Sequence, residues 1–163
     1  MTHTLRTAGP ADAAAVDALT QAAYAKWVPI VGRRPRPMTV DYARAVVEHR
    51  IDLVEAGNHL LALVELADAP DHLLIVNLAV APEAQGQGLG SLLLRHAEEV
   101  ARELGRPTLR LYTNRLMAPN IAFYEARGYV IDREEAFPEG GFTVHMSKPV
   151  PAAAPLADPA ARR

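Results

Sequence analysis

The sequence of 163 residues predicts an α/β fold in a single domain, and three observations support this prediction. An apolar run of strand length occupies residues 73–80. A glycine-rich turn follows it, and apolar residues at helical spacing then extend to Leu104. A further strand pattern covers residues 108–113. Strands that alternate with helices are typical of a sheet with helices packed on it.

The first fifty residues predict one strand and two helices. Residues 3–8 form the strand, and Pro10 suits the first turn of the helix that follows. The apolar residues of this helix recur at helical spacing: Val16, Leu19, Ala23 and Trp27. A loop over 29–37 leads to a second helix, for which Thr39 is the predicted N-cap. One face of that second helix is apolar: Val40, Ala43, Val46 and Val47.

The remaining elements are mostly strands. Two strands within 51–67 are joined by a turn at 56–58. The later predicted elements are a strand at 73–80, a helix at 88–104, a strand at 108–113, a short helix at 118–127, and strands at 129–134 and 142–147. Residues 149–163 are rich in Ala and Pro and lack periodicity, which predicts a disordered tail behind a domain that spans 1–148.

Composition excludes several classes of function. A net charge of −2 gives no general argument for binding nucleic acid or a membrane surface. The absence of cysteine excludes disulfides, a thiol nucleophile and thiolate metal sites. None of the six histidines shows the paired spacing of metal ligands, so no metal site is predicted. Because the sequence shows neither a signal peptide nor an apolar run of membrane-spanning length, a cytoplasmic protein is expected.

The glycine-rich turn at 85–90 predicts an anion site. Glycines let the backbone approach a ligand closely, and a helix that begins there directs free N–H groups at an anion such as phosphate. A P-loop would require Lys after Gly90, and a dinucleotide fingerprint would require Gly at position 91. The residue there is Ser91. The alternative is that the glycines only make a tight turn between a strand and a helix.

The spacing of Gln85, Gly88 and Gly90 resembles the coenzyme A pyrophosphate loop of the GCN5-related N-acetyltransferase (GNAT) superfamily. Residues 120–129 resemble a second signature of that family, an Asn, then Ala, then Tyr-Glu, then Gly-aromatic. The resemblance covers about residues 53–148. It implies a mixed central sheet of about seven strands flanked by about four helices. In that fold the central strand and the strand after the long helix are parallel, splay apart at one end, and hold the pantetheine arm between them.

The resemblance also implies acetyl-CoA as the cofactor and direct transfer of its acetyl group to a primary amine. The implied cofactor-binding residues are Leu78, Ala79, Val80, Gln85, Gly86, Gln87, Gly88, Leu89, Gly90, Ser91, Asn120 and Tyr124. Tyr124 would be the general acid that protonates the leaving thiolate, and Asn120 would bind the pantetheine. The alternatives are that Tyr124 is a packed aromatic residue and that Asn120 caps a helix.

The general base is not identified by the sequence. Many members of the family carry a Glu on the central strand, whereas residues 74–76 contain no carboxylate. Glu65, His72 and His145 are the nearby candidates, and a chain of water molecules is another. Each of these three residues also suits an ordinary surface or strand position. A non-catalytic module that binds acyl-CoA, and a nucleotide-binding regulator, are therefore the alternative functions.

The acceptor amine is expected to bind against the first helices and the loop between them. The candidate residues are Tyr24, Trp27, Arg33, Arg34 and Arg36. Aromatic and arginine side chains suit a small molecule that carries a carboxylate or phosphate, such as an amino acid. The alternative is a solvated loop with Trp27 in the core. A homodimer is common in the family, but no residue of this chain demonstrates one.

Overall fold

The computed structural model describes residues 2–152 and contains seven strands and five α-helices. The strands are β1 (Thr4–Thr7), β2 (Arg50–Ala56), β3 (His59–Asp68), β4 (Leu73–Val80), β5 (Thr108–Asn114), β6 (Val130–Ala136) and β7 (Phe142–Pro149). The helices are α1 (Ala13–Tyr24), α2 (Val28–Val31), α3 (Tyr42–Glu48), α4 (Leu89–Glu103) and α5 (Ala118–Glu125). The predicted mixed sheet of about seven strands is confirmed, with four longer helices and the single turn of α2.

All seven strands form one sheet in the order β1-β2-β3-β4-β5-β7-β6. Every neighbouring pair is antiparallel except β4 and β5, which are parallel. These two strands pair only between residues 73–75 and 109–111, although β4 continues to Val80. The predicted splay is therefore present, and it leaves one edge of β4 unpaired beyond Ile75.

Helices cover both faces of the sheet at its centre. Strand β3 is buried at every position from 62 to 66, which is the pattern of a strand with neither face exposed to solvent. Helices α1 and α4 both pack on β3 and β4. Helix α4 turns a continuous apolar face inward, formed by Leu89, Leu93, Leu94, Ala97, Val100 and Ala101. This packing holds the first turn of α4 at the end of β4.

The prediction for the start of the second helix is wrong by two residues. Asp41 is the N-cap of α3, and its carboxylate accepts from the N–H of Ala43 at 3.1 Å. Thr39 ends a preceding 3₁₀ turn, in which its hydroxyl donates to the carbonyl of Arg36. The buried face also differs from the predicted one, since Ala45 is buried and Val47 is 72% exposed.

The folded domain continues to the last described residues. Val150 is buried, and its N–H donates to the carbonyl of Pro107 at 2.8 Å. The disordered tail was predicted from residue 149, and most of that segment lies outside the described residues. Within residues 2–152, no helix combines the length and the apolar character that crossing a bilayer would require.

Candidate active site

Two cavities meet where β4 and β5 separate. The smaller one, about 470 Å³, lies against residues 85–91 and is called the loop cavity. The larger one, about 810 Å³, is bounded by the segment 33–49, the middle of β3, the end of β5, and β7, and is called the wide cavity. Four residues line both cavities: Tyr24, Leu78, Asn120 and Tyr124. The cleft therefore connects a loop at a helix N-terminus with a larger chamber.

The loop presents unused backbone donors. Gly86 and Gly88 have φ angles of +79° and +82°, a left-handed conformation that glycine adopts without strain. Gly88 is the N-cap of α4, whose first N–H groups have no partner within the helix. In the described chain, no carbonyl in a turn or loop accepts from the N–H groups of residues 86–91. This arrangement and the positive end of the helix dipole suit an anion.

The third glycine of the motif has a packing role. A Cβ atom on Gly90 would lie 3.0 Å from Cζ of Phe123 in α5. The absence of a side chain at position 90 therefore lets α5 approach the first turn of α4. Through this contact the second sequence signature, whose first half lies on α5, packs directly on the first.

Two basic side chains flank the loop, and both were missed by the sequence analysis. Arg127 donates from Nε to the Ser91 hydroxyl at 2.8 Å, and its guanidinium stacks 3.7 Å from the ring of Phe123. Lys26 donates to Oε1 of Gln85 at 3.0 Å. Both line the loop cavity, where their positive charges favour an anion. Arg127 follows Phe123 by four residues, a spacing at which helical side chains are neighbours. The sequence could therefore have indicated the stacking of Arg127 on Phe123.

The two glutamines of the loop have different positions. Gln85 donates from Nε2 to the carbonyl of Val80 at 3.2 Å and so ties the loop to the end of β4. The side chain of Gln85 is thus engaged by the protein itself. Gln87 is exposed and is not part of the cavity lining. Of the loop residues, Gly86, Gly88, Leu89, Gly90 and Ser91 line the loop cavity together with Gln85, and so do the strand residues Leu78, Ala79 and Val80.

Tyr124 lies at the junction of the two cavities. Its ring packs edge-on against Phe123 and Tyr129, with ring centroids at 5.4 and 5.7 Å. Burial raises the pKa of Tyr124 to about 12, so the phenol keeps its proton at neutral pH. Within residues 2–152 its hydroxyl makes no hydrogen bond, which leaves it free to donate to a ligand.

Asn120 lies one helical turn from Tyr124. It is the third residue of α5, whose N-cap is Met117, so Asn120 is not the residue that caps this helix. Its side chain makes no hydrogen bond to another described residue. Because both Asn120 and Tyr124 line both cavities, they present two polar groups to the same groove.

A buried polar network holds the first helix against β4, and its central residue, Asn77, was also missed. Tyr24 donates its hydroxyl hydrogen to Oδ1 of Asn77 at 2.9 Å. The amide nitrogen of Asn77 lies 3.3 Å from the hydroxyl oxygens of Thr20 and Tyr42. Burial raises the pKa of Tyr24 well above its usual value. The sequence could have indicated this network, because an Asn in the middle of an apolar strand is expected to be buried and therefore to need hydrogen-bond partners.

The predicted acceptor residues do not all lie together. The arginines of the loop, Arg33, Arg34 and Arg36, line the wide cavity, whereas Trp27 is buried on the side of the loop cavity. Arg33 stacks 4.0 Å from the ring of Phe137. Arg34 donates from Nη2 to Oε1 of Gln21 and to the carbonyl of Met38, both at 2.8 Å. Arg34 is thus part of the scaffold, and Trp27 is separated from the arginines.

The three candidates for the base have different surroundings. His72 pairs with the exposed Asp71 and lines neither cavity. His145 lines the wide cavity, where its Nε2 lies 3.3 Å from the exposed Glu135. Glu65 is only 1% exposed, so it is not a surface residue, and it also lines the wide cavity. In the part of the chain that the structure describes, no group of three or more His, Asp or Glu side chains is placed to hold a metal ion.

Residues 16–129 match the model of the acetyltransferase (GNAT) family. Over 85 residues the chain is 35% identical to streptothricin acetyltransferase from Streptomyces lavendulae; this match covers 48% of this chain and 45% of that relative, less than half of the relative's length. The fold is similar to that of the ribosomal-protein-S18-alanine N-acetyltransferase from Escherichia coli, with a TM-score of 0.75, 22% identity, and 96% and 99% of the two chains covered. It is also similar to PaiA N-acetyltransferase from Thermoplasma acidophilum, solved in complex with coenzyme A, with a TM-score of 0.74, 19% identity, and 91% and 99% covered.

Proposed function

The chain belongs to the GNAT acetyltransferase family, and we propose that it transfers an acetyl group from acetyl-CoA to a primary amine of a small molecule. The observation that carries this proposal is the position of Tyr124. It lies where the loop cavity, suited to a phosphate-bearing donor, opens into the wide cavity, suited to an acceptor. A reaction between two bound molecules requires such a junction, because their reacting atoms must meet.

The loop cavity fits the donor. The free N–H groups of residues 86–91, with Lys26 and Arg127 beside them, would hold the pyrophosphate. Beyond Ile75 the edge of β4 is unpaired on the side of β5, so it can form hydrogen bonds with the amides of the pantetheine arm, as an added strand would. Bound acetyl-CoA supplies an activated thioester to this cleft.

The chemistry requires a proton for the departing sulfur, and Tyr124 is proposed to supply it. Its raised pKa keeps the hydroxyl protonated across the neutral range. Its hydroxyl has no competing acceptor among the described residues, so the hydrogen is available to a thiolate. With no cysteine in the chain, the acetyl group passes to the amine by direct attack rather than through a thiol of the protein.

The wide cavity supports a small-molecule acceptor. Its volume of about 810 Å³ lies within the range of about 300–1,000 Å³ that is typical of such sites. The lining combines arginines with carboxylates, so it suits an acceptor that carries an amine together with an anionic group. Nη1 of Arg33 is buried, has no hydrogen-bond partner in residues 2–152 and lies 3.7 Å from Oε2 of Glu139, so an anionic group of the acceptor could replace this ion pair. The similarity to an acetyltransferase named for a small molecule, streptothricin, agrees with this class of acceptor.

The test is release of coenzyme A thiol from acetyl-CoA in the presence of a panel of amines, with calorimetric titration of coenzyme A alongside. The panel contains amino acids, polyamines, streptothricin and a peptide with a free N-terminus. We expect turnover with at least one small-molecule amine and a product that is one acetyl group heavier. Binding of coenzyme A without turnover would instead favour the non-catalytic module, and turnover of the peptide alone would contradict the class of acceptor.

A further inference from the structure

A histidine and a glutamate lie together in the wide cavity, at the end of α3 and in the middle of β3. Nδ1 of His49 lies 2.7 Å from Oε2 of Glu65. Both residues line the cavity that also contains Tyr124. Building on the proposed function, we propose that His49, oriented by Glu65, is the base that takes the proton from the acceptor's ammonium group.

The burial of Glu65 is energetically costly and needs an explanation. The side chain of Glu65 is only 2% exposed, and its Oε1 atom has no hydrogen-bond partner in the described chain. A buried carboxylate oxygen without a partner destabilises the folded state, so a purely structural role does not explain its presence. A carboxylate that holds a histidine toward a reaction site does explain it.

The contacts of His49 fix its backbone and leave one ring nitrogen free. His49 is the C-cap residue of α3, and its backbone N–H donates to the carbonyl of Ala45 at 2.9 Å, which fixes the main chain at this point. Because a carboxylate oxygen accepts, Nδ1 carries the hydrogen of the neutral ring and Nε2 keeps its lone pair. Nε2 has no hydrogen-bond partner among residues 2–152, and the side chain is 33% exposed. It is therefore a proton acceptor that an incoming ammonium group can reach.

The other histidines meet these conditions less well. Nε2 of His145 lies 3.3 Å from the exposed Glu135, and Arg133 contacts the same carboxylate. His72 lies outside both cavities. His49 is the histidine that combines a buried carboxylate partner with a place in the wide cavity.

In the proposed step every proton of the ammonium group has a destination. His49 accepts one proton from the ammonium group and later returns it to solvent. The lone pair of the neutral amine forms the new C–N bond, and the C–S bond breaks. Tyr124 donates its proton to the sulfur. It regains a proton from the attacking nitrogen, and that nitrogen becomes the amide nitrogen of the product. Of the three ammonium protons, one leaves through His49, one replaces the proton of Tyr124, and one stays on the product.

The first experiment compares His49→Gln with wild type, using the amine that the panel identifies. We expect kcat/KM to fall about 100-fold or more, the scale of one lost proton-transfer group. The dissociation constant of coenzyme A should stay at its wild-type value, and the variant should remain folded at the assay temperature, although loss of the contact with Glu65 should lower its melting temperature. His72→Gln is the matched control, because it removes a histidine from a histidine–carboxylate pair outside the cavities, and it should leave turnover unchanged.

Two further measurements separate a base from a structural residue. Added imidazole should restore part of the activity of His49→Ala, and the loss in His49→Gln should shrink to a few-fold for an amine that is already neutral at the assay pH. Glu65→Gln should show a smaller loss, about tenfold, because the ring is then less well oriented.

Wild-type turnover in His49→Gln, an equal loss with protonated and neutral amines, or a loss in His145→Gln alone would overturn the role of His49 and leave the proposed function intact. If the wild type itself acetylates no amine, the proposed function and this inference fall together.

Discussion

The hydroxyl group of Tyr24 donates its hydrogen to Oδ1 of Asn77 at 2.9 Å, and the carbonyl of Leu78 lies 3.3 Å from the same hydroxyl. This contact joins the end of α1 to β4 at the point where β4 has separated from β5. Asn77 is only 3% exposed, so its polar atoms depend on protein partners. The first helix therefore fixes the geometry of the strand that carries the cleft.

Removal of this hydroxyl by Tyr24→Phe should lower the free energy of unfolding by about 1 kcal/mol, because a buried acceptor loses its donor. Urea unfolding measures the change. Tyr112→Phe is the matched control, since the hydroxyl of Tyr112 makes no hydrogen bond to another described residue and its loss should change stability little. Equal effects of the two substitutions would contradict the importance of the Asn77 contact.

Tyr124→Phe should lower kcat about 100-fold, because one proton-transfer group is removed, while the affinity for coenzyme A stays the same. The pH profile provides a second check. An ordinary tyrosine is half ionised at about pH 10, whereas burial raises the pKa of Tyr124 to about 12. Wild-type kcat should therefore show no decline between neutral pH and about pH 10. A decline with a midpoint near pH 9 would argue against Tyr124 as the acid.

Arg127→Gln should weaken binding of coenzyme A about tenfold, or about 1.4 kcal/mol, because a cation beside the loop is lost. The difference from wild type should become smaller as salt is added, since screening weakens the lost interaction. Calorimetric titration at low and high salt measures both effects. Arg95→Gln serves as the control, because Arg95 is an exposed arginine of α4 that lines neither cavity. A salt-independent loss would indicate a purely structural role for Arg127.

Gly90→Ala should destabilise the protein by about 1 kcal/mol, because the new methyl group would meet Phe123 at 3.0 Å. The same substitution in a Phe123→Leu background should be neutral or stabilising, since the contact is then relieved and alanine favours a helix. Thermal unfolding of the four proteins gives the coupling between the two positions. Additive effects would show that the two side chains do not interact.

Asp52 links stability to pH. Burial raises its pKa, but hydrogen bonds from His96 and Thr7 and the charge of Arg50 outweigh burial and hold the pKa below its usual value. A lowered pKa means that the carboxylate stabilises the fold above the unfolded pKa of about 3.9, and that this stabilisation is lost as the pH falls through the folded pKa.

At pH 7, Asp52→Asn should cost about 2 kcal/mol of unfolding free energy, and the gap to wild type should close below about pH 4. Urea unfolding across this pH range provides the test. Asp71→Asn is the comparison, because Asp71 pairs with a histidine at an exposed site and should show little effect at any pH. A gap that stays constant down to pH 3 would contradict this role of Asp52.

Local sequence patterns predicted the elements well. The central strand was expected at 73–80 and is Leu73–Val80, and the long helix was expected at 88–104 and is Leu89–Glu103. Alternation and helical periodicity are properties of neighbouring residues, so they can be read without the fold. There were two exceptions: the helical turn α2 (Val28–Val31) overlaps the loop predicted at 29–37, and the N-cap of α3 is not Thr39. Thr39 and Asp41 are both suitable caps two residues apart, and packing decided between them: Tyr42 is buried, and its hydroxyl donates to the carbonyl of Pro37 at 2.7 Å.

The loop and Tyr124 were found from motifs, because their chemistry depends on residues close in sequence. Their roles in binding and catalysis stay predictions, although the structure brings 78–80, the loop, Asn120 and Tyr124 to one cleft. Glu65 was found only as a weak candidate, since nothing in the sequence showed its burial or its contact with His49.

By itself, the sequence determined the order of strands and helices, the glycine-rich loop and the family resemblance, because each rests on short motifs of neighbouring residues. Only the tertiary structure decided which side chains meet across the cleft. Tyr24 contacts Asn77 across 53 positions, His49 contacts Glu65 across 16, and Arg127 contacts Ser91 across 36. The physical reason is that these contacts depend on the register of the sheet and on the packing of helices against it, and neither leaves a local pattern in the chain.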